Sequence, residues 1–186
     1  MSFFSRHALA GRARSAAATF HGIQASARYL LLGGPMPVRV MLVSDELAYT
    51  SEQQFAPMTR YAAALRREFG VVVDHVTLQR GLTLSQAQLA SVDVLGFKLS
   101  FMTPTAQASR IARQFRERVA GTPTRLVYFD GDDDVCIQWP EVLAQVDCYV
   151  KKHAFADAAD YGRRYIGKSN LTDHVAHAHG RSFDDN

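Results

Sequence analysis

The chain has 186 residues, 47% of them hydrophobic and 21% charged, enough length and apolar content for one domain with a real core. Its net charge of +3 is uneven: residues 1–37 hold Arg6, Arg12, Arg14 and Arg28 and no acid, while the remainder carries 17 basic and 18 acidic side chains. The basic character belongs to the head, so no nucleic-acid partner is expected of the body. Cys136 and Cys148 are too few for a disulfide framework and fit a reduced, cytoplasmic protein, and no apolar run reaches the roughly 18 residues of a membrane span.

The head, 1–37, is Arg-, Ala- and Ser-rich. That composition suits a transit peptide or a basic amphipathic segment making peripheral contact with anionic lipid at the inner face of the membrane. A second reading puts the start at Met36, with the head disordered or an artefact of the assigned translation start. Gly33-Gly34-Pro35 is the expected linker.

From Pro37 onward strand and helix patterns alternate. Residues 38–44, VRVMLVS, form a β-branched apolar run, as in a strand buried on both faces. In 56–70, Met58, Tyr61, Ala62, Leu65 and Phe69 share a helix face that Gly70 ends. Strands follow at 71–78, 92–101, 125–129 and 147–153, with helices at 84–91, 104–121 and 140–146. A helix near 155–162, a short strand around Arg164-Tyr165-Ile166-Gly167 and a last helix from Asn170 complete the expectation. Such alternation predicts an α/β fold: a doubly wound, mainly parallel Rossmann-like sheet over 38–186 with helices on both faces.

In such sheets ligands bind at the carboxyl ends of the strands. The ends expected here are Ser44-Asp45-Glu46, Lys98 to Ser100, Asp130-Gly131-Asp132-Asp133-Asp134, and Lys151-Lys152-His153. The expectation is that they meet in one cleft. The aspartates could hold a divalent cation through oxygen ligands, bind sugar hydroxyls or act as a general base, or cap a helix and face water. Downstream, no Glu completes an EF-hand loop, and no phosphate-loop signature is present. Lys98, inside an apolar strand, calls for a carboxylate partner. A receiver-like phosphotransfer reading fails, because that module closes its third strand with an aspartate and Ser100 stands here.

The segments 38–65, Gly96 to Phe101, Leu126 to Leu143, Asp147 to His153 and Tyr165 to Val175 together resemble the amino-terminal half of bacterial glycosyltransferase-like proteins of the two-Rossmann (GT-B) type. That resemblance implies an acceptor-side domain, a nucleotide-sugar and a sugar acceptor as partners, and no metal or other cofactor. The donor half would have to be supplied elsewhere, because the chain ends at Asn186. Under it, Asp132 or Asp45 is the catalytic base. Glu46, Ser100, Asp130, Asp133, Asp134 and His153 line the substrate, Lys98 and Lys151 meet phosphate or carboxylate, and Trp139 stacks on a sugar or packs at a helix start.

The alternative reading is a non-enzymatic α/β binding module. Its acidic strand-end cleft would take a sugar, a divalent cation or a basic partner. An exposed apolar surface near 155–186 would point to a missing partner domain. His174, His177 and His179 could suggest a metal site, but His179 is off the shared helix face and a solvated helix end fits the spacing better.

Overall fold

The computed structural model describes residues 36–45, 48–131, 133–166 and 169–183. The strands are β1 (Val38–Ser44), β2 (Val71–Thr77), β3 (Val94–Lys98), β4 (Arg125–Asp130) and β5 (Cys148–Lys151). All neighbours pair in parallel, in the order β2-β1-β3-β4-β5. This is the flavodoxin-like form of the doubly wound sheet, whose winding reverses between β1 and β3.

The helices are α1 (Ala48–Arg60), α2 (Ala62–Phe69), α3 (Leu78–Thr83), α4 (Gln86–Ala90), α5 (Thr105–Val119), α6 (Pro140–Leu143) and α7 (His174–His179). Helix α4 starts with a capping box: Ser85 accepts from the Gln88 N–H, and the Gln88 side chain accepts from the Ser85 N–H. Pro140 opens α6 in the first turn, where no N–H is needed. Gly70 ends α2 with φ 66°, the left-handed conformation that glycine adopts without strain.

One face of the sheet carries the main core. Val43, Leu95, Phe97, Leu126 and Tyr128 pack there against Leu84, Leu89, Ile111, Phe115 and Val142 from the α3–α6 side. Successive strand residues point to opposite faces. On the other face Phe55 of α1 is fully buried, edge-on to His75 and Phe129. Gly96 is required there: a Cβ would stand 2.7 Å from the Phe129 ring.

Three expectations are corrected. The helix expected over 56–70 begins at Ala48 and is broken at Tyr61, and two side chains of the expected shared face, Tyr61 and Phe69, are exposed. Pro57 lies inside the first segment, where it removes one N–H from the ladder, and the Tyr61 N–H still reaches the Pro57 carbonyl at 3.3 Å. No strand occurs over the described residues 163–166; a 3-10 turn at Ala158–Gly162 precedes them. The last helix starts as a π turn, Ser169–Asp173, before α7. Among the described residues no helix is long and apolar enough to cross a membrane.

Candidate functional site

The parallel sheet brings the ends of β1, β3, β4 and β5 to one edge, as the alternation predicts. Among the described residues it does not place all of their side chains on one side of the sheet. Register and alternation divide them between the two faces.

On the α5–α6 side, Asp130 is 1% exposed and pairs in register with Lys151. Lys151 Nζ and the Tyr149 hydroxyl both donate to Asp130 Oδ2 at 2.8 Å. The Lys151 side chain is itself only 6% exposed, so the ion pair is held away from water. The Asp130 carbonyl accepts from the Lys152 N–H at 3.0 Å and from Gln54 Nε2 at 3.3 Å. Asp130 is therefore an internal anchor rather than an open substrate ligand.

Burial, and then the Asp130 carboxylate, push the Tyr149 hydroxyl far above its ordinary value. The fold needs this phenol protonated, while an unfolded tyrosine ionises near pH 10. The stability Tyr149 contributes is complete below about pH 10 and is lost as pH rises toward the folded value. Urea unfolding from pH 8 to 11 should show the wild type losing stability more steeply above about pH 10 than Tyr149→Phe. Parallel curves would remove this role.

On the α1 side, Lys98 is 2% exposed and packs over Gly131. A Cβ on Gly131 would sit 2.1 Å from Lys98 Nζ and 2.8 Å from Gln54 Oε1, so a larger residue would make the ends of those two side chains shift. Ser44 Oγ lies 2.8 Å from His75 Nε2 on the same face. At the β1/β3 reversal the Ser100 N–H donates to Asp45 Oδ2, and Ser100 Oγ accepts from the Met102 N–H at 3.2 Å. This carboxylate ties the two sides of the crevice together.

The remaining predicted residues divide by burial. Asp134 is buried and accepts from the Cys136 N–H at 3.2 Å, bracing its own turn. Asp133 is exposed, with Lys152 Nζ at 2.5 Å and His153 Nε2 at 3.9 Å. Asp132 and Glu46 lie outside the described residues. Trp139, considered for sugar stacking, is 2% exposed, with its ring 6.0 Å from Tyr128. It starts α6 and turns into the core, leaving no ring face for a sugar. His177 Nδ1 lies 2.9 Å from the Asp173 carbonyl, and all three α7-region histidines are exposed. Among the described residues no three His, Cys, Asp or Glu side chains converge as metal ligands.

Three features of this edge escaped the sequence reading. Phe101 and Met102 stand 55% and 72% exposed just after β3. The Gln138 side chain donates to the Phe101 carbonyl at 2.8 Å, lacing this loop to the acidic one. Tyr149 completes the Asp130 cluster. Its alternation with Lys151 along β5 was the available signal.

No protein-family model matches the chain, and no curated protein does. Among solved structures, one titled crystal structure of FixJ-N is similar over 69% of this chain and 90% of that one, at 17% identity and a TM-score of 0.38. That structure is a receiver domain and not a sugar transferase. The resemblance to a GT-B glycosyltransferase half is corrected accordingly. It rested on short apolar strand segments followed by polar turns, and any doubly wound sheet needs those.

Proposed function

We propose that the chain is a non-enzymatic α/β binding module that receives a basic segment of a partner protein at the carboxyl edge of its sheet. The carrying observation is the exposed Phe101–Met102 pair at an edge rich in carboxylates. Besides the buried Asp130–Lys151 pair, the sequence there supplies Asp45, Glu46, Asp132, Asp133 and Asp134 against Lys98 and Lys152. Exposed apolar side chains ringed by charge suit a protein contact, and an excess of one sign favours a partner of the other. Of the other occupants considered, a sugar loses its aromatic platform because Trp139 is buried. A divalent cation lacks a converging donor set among the described residues.

The test is a titration of the isotopically labelled full chain, followed by backbone amide shifts. The probes are magnesium ion, a mixture of simple hexoses, and a short arginine- and leucine-rich peptide. The peptide should move Phe101, Met102 and Asp133, and the effect should weaken with salt. In Phe101→Ser/Met102→Ser it should vanish. Saturable shifts with magnesium or hexoses alone would replace this reading.

A further inference from the structure

The sheet ends in two edge strands, and they are not alike. β5 has four residues and runs into Lys151 and Lys152, the short, lysine-bearing kind of edge that resists pairing. β2 has seven, VVVDHVT, mostly β-branched, with no lysine or proline and an unbroken register to β1. The Val38 N–H donates to the Gly70 carbonyl at 3.0 Å, which fixes the direction of the backbone groups along β2. The even-numbered residues face β1, so Val71, Val73, His75 and Thr77 turn their N–H and C=O groups away from the sheet. Among the described residues no backbone group pairs with those of Val71 and Val73. The one carboxylate on β2, Asp74, is half-buried and lies on the main-core face, where Arg39 of β1 is in register with Val72. Burial raises the Asp74 carboxyl above its ordinary value, with the Arg39 charge opposing, yet no ion pair joins the two among the described residues. Arg39 Nε is buried without a hydrogen-bond partner.

We propose that the β2 edge pairs with the β2 edge of a second copy of this chain, antiparallel about a two-fold axis through Val73, joining two sheets into one. On that axis Val73 faces the second copy's Val73, Val71 faces its His75, and Val72 faces its Asp74. Charge selects the register. An axis at Asp74 would set two carboxylates directly opposite each other, which is unfavourable. An axis at Val73 sets the second copy's Asp74 beside Val72, two strand spacings or about 10 Å from Arg39 along one face. An arginine and an aspartate span that distance, so each copy's guanidinium meets the other's carboxylate, twice by symmetry. An axis at His75 would carry Asp74 beyond that reach. The same register places Phe69, 71% exposed at the end of α2, opposite the second copy's Thr77 at the rim of the contact. This surface runs along the side of the sheet, with β1 between it and the strand that leads to Phe101 and Met102.

Sedimentation velocity of the full chain should show a monomer–dimer equilibrium that shifts with concentration. Val73→Pro removes an outward N–H and no bond to β1, and should leave a folded monomer by circular dichroism. Arg39→Asp and Asp74→Arg should each weaken the dimer by roughly tenfold or more, and Arg39→Asp/Asp74→Arg should recover most of the loss. Where a variant fails to fold, cross-linking decides. With Cys136→Ser and Cys148→Ser, Val73→Cys should close into a covalent dimer under oxidised glutathione, because the axis brings the two thiols together. His75→Cys in the same background should not, since its two copies stand about four residues apart across the pair, roughly 13 Å. A monomer at every concentration, a folded Val73→Pro variant that still dimerises, growth into open-ended oligomers, or cross-linking through His75→Cys alone would each overturn the proposal.

Discussion

Asp130→Ala is expected to cost about 3–5 kcal/mol of folding stability, because it leaves a buried ammonium group without its carboxylate. Lys151 lies 2.8 Å from Asp130 with its side chain 6% exposed, so it cannot turn to water without opening the edge. The Tyr149 hydroxyl loses its acceptor in the same step. Urea unfolding measures the loss directly. A companion triple variant, Asp130→Leu/Lys151→Met/Tyr149→Phe, should be much less damaged than the single one, since an apolar cluster leaves no charge stranded. If Asp130→Ala unfolds within about 1 kcal/mol of wild type, the cluster is open to solvent and the anchor role is wrong.

Trp139→Ala should lose a similar amount, about 3–5 kcal/mol, by emptying a core position. Trp139 is the chain's single tryptophan, so its fluorescence reports its own surroundings. At 2% exposure, in contact with the Tyr128 ring, it should emit at short wavelength and resist acrylamide quenching until the domain unfolds. Simple hexoses should not change that emission. A substitution that spares stability, or an emission that responds to sugar, would put the ring back at the surface.

These two residues show how far the residue pattern could reach. Asp130 and Trp139 both stood out in the stretch 127–141, and both were weighed as ligand contacts. Each is instead turned inward. Asp130 sits on the same alternation as Leu126 and Tyr128, two fully packed core residues. That parity was legible once the strand was placed. What it implied depended on Lys151 standing in register on β5, which is a long-range fact. The acidic run likewise splits into Asp130 and Asp134 buried and Asp133 exposed, though all look alike along the chain.

Local regularities fared well where the local signal was strong. The five strands, the Ser85–Gln88 capping box and the stop at Gly70 follow from β-branched runs, side-chain caps and a left-handed glycine. The break at Tyr61 was missed because Met58 to Phe69 keep a helical period straight across it. The strand expected near Tyr165 does not form, because β propensity in a short aromatic segment yields to tertiary packing. Phe155 instead stacks on Tyr165 with ring centroids 5.3 Å apart, so side-chain packing claims that segment.

The sequence by itself determined the alternation of strands and helices, the doubly wound class and the edge at which the polar residues collect. Those follow from periodicity and from the right-handedness of parallel connections. Only the tertiary structure decided the order β2-β1-β3-β4-β5, and with it which polar groups meet. Lys98 and Asp130 both come from strand ends, yet they lie toward opposite faces because successive strand residues alternate sides. Partnership across a sheet depends on register between strands far apart in the chain, and no local pattern carries that information.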